Sequence, residues 1–586
     1  MTKRSLPIIG IIWVIFTVGC LTDNQNVVLQ DIFDEAWFFR LNENPLFATG
    51  VGIYDKNDRL PLVTEKDIQR RGEYWRDVLK RLDGIDLDRL NAKNRINYKI
   101  FHRIVEDRLA DIKFKSYLIP LNADSGFHIS LARLPKNVPL KSITDYENYI
   151  SRLNAIPDYI AQHIALMREG IRIGMTIPKI VLHGYDITIS THVVNSPEES
   201  VFYEPFISFP ISVPPHEHNR LRQVGRKAVM TGAIEGYRKF LTFFNDEYYP
   251  NARETIGASD LPDGQAYYEQ RTRHFTTLDL SPEEIHNIGL QEVERIKREM
   301  TDIIKEVEFD GSFQDFLNFL RTDRQFYAKT PEDLLKEASF IAKKMDAKLP
   351  SLFKNLPRLP YGVQAVPDHI APKYTGGRYV GPAEGSTEPG YYWVNTYALG
   401  IRPLYNLEAL TLHEAVPGHH LQNAITRELD DVPMFRRHLY LSAFGEGWGL
   451  YSEWLGLEAG FYSDPYNNFG RLTYEMWRAC RLVVDTGIHA FGWTRDEVIE
   501  YMVERTALPI HEVTTETDRY IAWPGQALAY KIGELKIKEL RLYSENVLKE
   551  DFDVREFHDV VLGNGSVPLD LLEEQVKIWV ETERSR

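Results

Sequence analysis

Three histidines and one glutamate lie close together in the sequence: His413, Glu414, His419 and His420. Imidazole nitrogens are common zinc ligands, and a carboxylate beside such a site can act as a general base toward water. In the usual arrangement, two histidines stand four residues apart on one helix, where about 100° per residue places them one turn apart on the same face. Pro417 occupies that fourth position here. A regular helix therefore cannot form this site.

The later histidines need a distorted backbone before they can meet His413. In an ideal helix His419 would point about 120° away from His413, and His420 would share its face but lie about 10.5 Å further along the axis. Pro417 removes a helical hydrogen bond and clashes with the preceding turn, and Gly418 tolerates the distortion that results. The sequence therefore predicts a break or bulge between His413 and His419, and a straight helix would argue against a metal site.

Two acidic residues follow in a stretch of apolar and small residues. Glu446 is the candidate third ligand, which would leave one coordination position open for water, as a hydrolytic zinc ion requires. Glu453 lies seven residues further along, on the same helical face. We expect it to pair with an arginine or to support a ligand histidine. Burying these histidines and acids without a metal or charge partner would be costly, which favours one zinc ion over a solvated helix end.

The first residues have the layout of a bacterial signal peptide. Lys3 and Arg4 precede the uncharged apolar run 6–16, and Cys20 follows a small residue. This pattern predicts that residues 1–19 are a signal peptide with a lipobox, and that Cys20 is lipidated. A plain membrane anchor and a cleaved secretory signal are the alternatives. We expect an exported protein held in the cell envelope, periplasmic or at the outer membrane, by its N-terminal lipid alone.

Composition excludes several other classes of function. The net charge is −15 and no basic cluster appears, so the footprint of a nucleic-acid-binding protein is absent. Cys480 is the only cysteine besides Cys20, which excludes a disulfide framework and a cysteine metal site. No Gly-x-Ser-x-Gly segment occurs, so a nucleophilic elbow is also not expected.

Helical periodicity dominates the remaining chain. Segments 281–284, 330–333 and 494–497 have the composition of helix starts, with Ser or Thr before acidic residues. Residues 182–215 and 359–396 break the helical pattern, and the second of these ends in a strand-like run over residues 391–396. A polar, turn-rich segment near residue 255 predicts a division into an N-terminal helical region, 20–255, and a zinc-binding catalytic region, 256–586.

Five segments resemble the bacterial DUF-885 family, many of whose members are exported lipoproteins. The matching segments are residues 276–293, 413–422, 445–448, 481–489 and 519–530. The similarity extends over nearly the whole mature chain, and its first histidine-rich motif is very specific. That family is in turn similar to the largely helical gluzincin zinc peptidases of the thimet-oligopeptidase and thermostable-carboxypeptidase type.

The resemblance implies a fold and leaves two ligand sets open. It implies a mainly α, large helical zincin-like (gluzincin) fold with a small β-sheet edge beside the active-site helix. Aligning the His-Glu-x-Gly-His motif of the oligopeptidases makes His419 the second ligand, whereas aligning the His-Ile-Gln of angiotensin-converting-type peptidases makes it His420. Residues 391–396 would bind an extended peptide by the strand edge, with Asn395 as a candidate substrate contact or support.

The same resemblance suggests further site residues. His489, Tyr520 and Tyr530 are candidate donors to the tetrahedral oxyanion, because each lies in a matching motif. Arg481 or Arg519 would hold a substrate carboxylate, which would make the protein a carboxypeptidase. Each of these residues has the alternative of being a satisfied core residue.

Together, these features predict an exported hydrolase with one zinc ion that cleaves peptide bonds, as an oligopeptidase or a carboxypeptidase. His413, His419 or His420, and Glu446 would hold the metal, and Glu414 would activate water. One alternative is a metallohydrolase acting on another amide or an ester bond. The other is a non-catalytic surface lipoprotein that binds peptide or metal.

Overall fold

The structure is a computed structural model that describes residues 24–368, 370–382 and 387–586. The predicted signal peptide and Cys20 lie outside the described residues. Helix makes up 68% and strand 3%, which confirms the predicted mainly α class. No helix among the described residues is long and apolar enough to cross a membrane.

In the part of the chain that the structure describes, ten α-helices precede the predicted division near residue 255. In chain order they are α1 Gln25–Glu43, α2 Pro45–Gly50, α3 Glu65–Asp83, α4 Ala92–Lys113, α5 Phe127–Ala132, α6 Leu134–Asn137, α7 Ile143–Ile173, α8 Ile187–Ser190, α9 Pro215–Ala228 and α10 Glu235–Phe243. Between α7 and α9, where the sequence lacks helical periodicity, the chain forms only α8 and short 3-10 turns.

Fifteen helices follow among the described residues. They are α11 Gly264–Thr276, α12 Pro282–Glu306, α13 Phe313–Thr322, α14 Pro331–Asp346, α15 Leu349–Leu352, α16 Leu407–Glu414, α17 His419–Arg427, α18 Met434–Arg437, α19 Ser442–Leu455, α20 Pro465–Phe491, α21 Arg495–Val503, α22 Ile510–Ala522, α23 Ala529–Leu548, α24 Val554–Leu562 and α25 Leu569–Arg584.

The three predicted helix starts are confirmed. At α12 the Ser281 hydroxyl accepts from the Glu284 backbone N–H, and the Glu284 carboxylate accepts from the Ser281 N–H in return. Thr494 makes the same reciprocal cap on α21. Thr330 caps α14 by accepting from the Asp333 N–H. These bonds satisfy backbone donors that a helix end would otherwise leave without partners.

The loop around residue 255 separates α10 from α11 and contains one 3-10 turn, Ala258–Asp260. Apolar residues on both sides of it, such as Phe240 and Ile285, belong to one buried cluster. The division of the chain at this loop stays a prediction.

A three-stranded sheet lies beside the break between α16 and α17. Its strands are β1 Tyr361–Ala365, β2 Gly377–Val380 and β3 Gly390–Val394, in the spatial order β1-β3-β2. β3 is parallel to β1 and antiparallel to β2, so its backbone groups are paired on both sides. The prediction that residues 391–396 offer a strand edge was therefore wrong. The edge next to the metal-site helix is β2, whose Tyr379 faces Glu414.

Candidate metal centre

The predicted helix break is present. α16 ends at Glu414 and α17 begins at His419, with a cis Val416–Pro417 peptide bond between them. The Gly418 N–H donates to the Leu412 carbonyl over 3.0 Å instead of continuing the α-helical pattern. The break thus turns the chain back toward the end of α16.

Two neighbours fix the shape of the break. The Trp448 indole, fully buried on α19, donates to the Pro417 carbonyl over 2.8 Å. A Cβ atom on Gly418 would lie 1.9 Å from the His413 carbonyl oxygen, so only glycine fits there. A further close approach occurs at Gly449, where a Cβ would lie 2.6 Å from the His413 ring. Small residues therefore let α19 and the break close around His413.

Three predicted ligands converge. Oε2 of Glu446 lies 3.5 Å from Nε2 of His413 and 3.3 Å from Nε2 of His419, and the three ligand atoms lie within 4.8 Å of one another. Ligands at 2.0–2.1 Å from a tetrahedral zinc ion are separated by about 3.3 Å, so the two shorter separations match that geometry. The His419 and Glu446 side chains are 12% and 15% exposed, which leaves the group accessible from outside. The residues fit a zinc ion.

Glu453 orients His413 through Nδ1, the ring nitrogen that is not directed at Glu446. Its Oε1 lies 2.7 Å from Nδ1 of the buried His413. A proton on Nδ1 would be donated to this carboxylate, which leaves the Nε2 lone pair directed at Glu446 and His419. Arg478 lies 3.5 Å from the same Glu453 oxygen. Both roles predicted for Glu453, an arginine partner and support of a histidine, are thus present in its contacts.

The electrostatics of the group favour a cation. Burial opposes protonation of His413, but hydrogen bonds with Glu446 and Glu453 outweigh it and raise its pKa to about 9. Burial would raise the pKa of Glu446, yet His419 and His413 hold it well below its ordinary value. A bound metal ion would take the place of this proton, because imidazole ligands must be deprotonated.

The predicted base lies between the metal group and the sheet. Oε2 of Glu414 accepts from the Tyr379 backbone N–H on β2 over 2.8 Å. Its charge also acts on His413, the residue before it. Glu414 thus connects the ligand helix to the strand edge.

His420, the alternative ligand, is not part of the group. Its buried ring packs against Tyr361 and Tyr379, and its Nδ1 lies 3.4 Å from the Tyr379 hydroxyl. Burial lowers the pKa of His420 to about 4. The break therefore places His419, and not His420, beside His413.

His489 and Asn395 make hydrogen bonds to the backbone. Nδ1 of His489 accepts from the Ala258 N–H over 3.0 Å and its Nε2 lies 3.0 Å from the Tyr520 carbonyl, so neither ring nitrogen is available to an oxyanion. The Asn395 side chain is buried and donates to three carbonyls, those of Ala371, Tyr374 and Thr375. Both residues hold the backbone rather than a substrate.

Tyr520 is also fully engaged. Its buried hydroxyl accepts from the Trp477 indole over 2.8 Å and from Nε of Arg481 over 2.9 Å, and it is hydrogen-bonded to Glu516. Tyr530, in contrast, is half-buried, and burial followed by the charge of Glu446 raises its pKa. Tyr530 is therefore the predicted donor that lies near the metal group.

The two predicted carboxylate-binding arginines share an internal partner. Arg481 donates to Oε2 of Glu516 over 2.9 Å, and Arg519 donates to the same oxygen over 3.0 Å. Burial opposes ionisation of Glu516, but the two arginines outweigh it and lower its pKa to about 2. Glu516 thus occupies Arg481 and Arg519, the two arginines predicted to bind a substrate carboxylate.

Two site residues escaped the sequence analysis. The Tyr440 hydroxyl donates to Oε1 of Glu446 over 2.8 Å. Burial lowers the pKa of Arg378 on β2, but Tyr374 and then the charges of Glu414 and Glu446 raise it, so this guanidinium lies near both carboxylates. Neither residue belongs to a motif with metal-ligand spacing. The clash that a Cβ on Gly445 would make with the Tyr440 ring, at 2.4 Å, is likewise visible only in the fold.

Fold and site together define a mainly helical protein with a candidate metal centre at a helix break. The sequence model of the DUF885 family, "bacterial protein of unknown function", matches residues 45–576, and the chain belongs to this family. No curated protein matches the sequence.

Two solved structures are similar over nearly their whole length. A "putative lipoprotein" from Colwellia psychrerythraea is 29% identical, with a TM-score of 0.89 over 95% of this chain and 100% of its own. A "putative lipoprotein of unknown function" from Shewanella oneidensis is 17% identical, with a TM-score of 0.68 over 94% of this chain and 99% of its own. The second likeness shows the fold alone.

Proposed function

We propose that this protein is a zinc-dependent hydrolase that cleaves peptide bonds. The observation that carries the proposal is the convergence of His413, His419 and Glu446 within 4.8 Å, beside Glu414, whose charge acts on His413. Two imidazoles and one carboxylate are the ligand set of many hydrolytic zinc sites. The likeness to gluzincin peptidases belongs to this proposal and supports peptide bonds as the target.

Different residues would contribute to different steps of peptide-bond hydrolysis. A bound zinc ion would supply Lewis acidity toward water and the scissile carbonyl. Glu414 would take a proton from the attacking water through Oε1, since Oε2 is held by Tyr379, and would pass it to the leaving amine. Tyr530 and Arg378 lie close enough to Glu446 to feel its charge, and would donate to the developing oxyanion.

The edge strand would bind the substrate backbone. β2 pairs with β3 on one side and meets Glu414 on the other through its Tyr379 N–H. An extended peptide can add to such an edge by main-chain hydrogen bonds, which gives affinity without dependence on sequence. The scissile bond of that peptide would then lie next to the ligand group.

Export as a lipid-anchored protein is part of the proposal. Cys20 follows the apolar run of the N-terminal segment, and the similar Colwellia protein is named as a putative lipoprotein. Radiolabelled palmitate should be incorporated into the chain and not into Cys20→Ser.

Digestion of a peptide library by the zinc-loaded protein tests the proposed activity. We expect defined cleavage products that Glu414→Gln no longer forms. Glu408→Gln is the matched control, because Glu408 lies on the same helix and also accepts a backbone N–H over 2.8 Å, from Tyr462. Esters and peptides should be compared, since cleavage of esters alone would favour the rival hydrolase. Zinc binding with no cleavage that Glu414→Gln abolishes would favour the non-catalytic binding protein.

A further inference from the structure

A cleft of about 770 Å³ opens beside the candidate metal centre. It is formed by α17, α18, the start of α19 and the segment before β1. Its charged lining consists of Arg358, Arg427, Glu428 and Arg437, and Tyr440 lines it on the side of α19.

The cleft borders the proposed catalytic residues at two points. Tyr440 donates its hydroxyl to Oε1 of Glu446, a predicted metal ligand, over 2.8 Å. At the other point, burial raises the pKa of Tyr379 to about 12 against the opposing charge of Arg427, so this guanidinium is close to β2. Tyr379 in turn holds Glu414 through its backbone N–H. A molecule in the cleft would therefore contact Tyr440, which binds a predicted metal ligand, and Arg427, which lies close to the strand that holds the base.

The described residues that line this cleft carry more positive than negative charge. Arg358 is paired with Glu428 at 3.5 Å. Arg427 donates to the Pro382 carbonyl over 2.5 Å and Arg437 to the Asp430 carbonyl over 2.7 Å, and neither has a carboxylate partner among the residues that the structure describes.

Nε of Arg437 is also buried without a hydrogen-bond partner in the described part of the chain. A buried donor of this kind is costly, so the Arg437 guanidinium has hydrogen-bonding capacity that the carbonyl of Asp430 does not satisfy. Within the described ranges of the chain, these two guanidinium groups thus have no carboxylate partner, in a protein whose net charge is −15.

We propose that this cleft binds a carboxylate of the peptide substrate through Arg427 and Arg437. Guanidinium groups bind carboxylates by paired, charge-assisted hydrogen bonds, and here both line one cavity next to the scissile site. The inference rests on the proposed function for the identity of the ligand as a peptide. The carboxylate comes either from an acidic side chain or from the free C-terminus, and both present the same group.

Binding of labelled peptides to zinc-loaded Glu414→Gln, measured by fluorescence anisotropy, tests the inference without any turnover. Four hexapeptide probes carry Glu or Gln in the chain and a free or an amidated C-terminus. We expect the carboxylate-bearing probes to bind about tenfold more tightly than the neutral amide, and the advantage to fall with rising salt. The probe that keeps the advantage identifies the source of the carboxylate.

Substitutions in the same background locate the effect. Arg427→Gln and Arg437→Gln should each remove most or all of the about tenfold preference for carboxylate-bearing probes. Arg222→Gln is the matched control, because Arg222 also donates to carbonyl oxygens, those of Phe206 and Ile207, but lies on α9. It should keep the full advantage. If Arg437→Gln fails to fold, as judged by circular dichroism, Arg427→Gln decides.

Equal binding of all four probes would overturn the inference, as would an advantage that survives in both arginine variants. These outcomes are separate from failure of the proposed function. Cleavage of peptides by the wild type without any carboxylate preference would contradict the inference and still support the proposed hydrolase activity. Carboxylate-dependent binding in a protein that cleaves no peptide would support the inference about the cleft and contradict the proposed peptidase activity.

Discussion

The side chains around His413 differ in how far their roles depend on distant contacts. His413, Glu414 and Glu446 were predicted as metal-site residues from residue type and motif, and the structure brings two of them together with His419. Tyr440 and Arg378 were not predicted, because their proximity to Glu446 arises only when α19 and β2 meet. Local sequence contains no signal for such contacts.

His489 illustrates the opposite error. Its motif resembled that of a functional residue, yet its two nitrogens are paired with the backbone of Ala258 and Tyr520. A buried histidine that satisfies backbone groups and one that meets a substrate have the same sequence appearance. Only the positions of partners far apart in the chain distinguish them.

Glu453→Gln should weaken zinc binding about 10- to 100-fold, because the carboxylate that orients His413 becomes a neutral amide. Competition with a chromophoric chelator measures the affinity. Glu458→Gln is a suitable comparison on the chain that follows α19, where Glu458 pairs with Arg541 instead. Equal affinities in wild type and Glu453→Gln would remove the supporting role.

Among the secondary-structure elements, the capped helices could be predicted from neighbouring residues, whereas the pairing of the strands could not. Ser281, Thr330 and Thr494 cap helices through contacts within three residues, so the sequence contains the whole signal. β3 was recognised by its three consecutive aromatic residues, but β1 and β2 were not, because each contains a single aromatic residue. Which strand forms the edge depends on pairing between distant segments.

Gly418→Ala should destabilise the fold by about 1–3 kcal/mol and reduce zinc binding, because the new Cβ would lie 1.9 Å from the His413 carbonyl oxygen. Thermal unfolding and zinc content measure the two effects. Gly400→Ala provides the control, since a Cβ there has nothing within 4 Å. A Gly418→Ala protein as stable as this control would show that the break is not held as tightly as the contacts imply.

Lys531→Met should destabilise the protein by about 3–5 kcal/mol. The Lys531 ammonium is fully buried between α12, α20 and α23, at 2.9, 2.8 and 2.6 Å from Glu292, Glu475 and Glu534. Its removal takes away the cation that contacts all three carboxylates, and Arg295, Arg471 and Lys538 remain as separate partners of single members or pairs.

Chemical denaturation gives the free energy of unfolding of Lys531→Met. Lys577→Met removes an exposed partner of Glu573 and should cost no more than about 1 kcal/mol. Similar losses in the two variants would contradict a structural role for the buried cluster.

For the molecule as a whole, composition and periodicity sufficed for the mainly α class but not for the packing of its parts. Apolar residues before and after residue 255 share one core, which a polar loop in the sequence does not reveal. The likeness to the Colwellia protein extends over 95% of the chain, so the arrangement of the elements is common to both.

The N-terminal helices should lose stability in mild acid. Burial lowers the pKa of His163 and of His128 to about 3, below the ordinary value of 6.5. Because the unfolded chain binds these protons first, stability is complete above about pH 6.5 and declines as the pH falls toward about 3.

Urea unfolding at pH 7.5 and pH 5 measures this decline. His163→Phe should lose less stability between the two pH values than the wild type, since phenylalanine keeps the packing on Phe127 and does not titrate. Replacement of the exposed His511 by phenylalanine is the control substitution. An identical decline in wild type and His163→Phe would assign the pH dependence to other groups.

Zinc stoichiometry of the purified protein and of two neighbouring histidine variants tests the central claim most directly. His419 lies 3.3 Å from Glu446, whereas His420 packs against Tyr361 and Tyr379 outside the ligand group. We predict one zinc ion per chain in the wild type and in His420→Ala, and loss of that ion in His419→Ala. A wild type without stoichiometric zinc would contradict the proposed metal centre. A zinc ion retained by His419→Ala and lost by His420→Ala would contradict the assignment of His419 as the ligand.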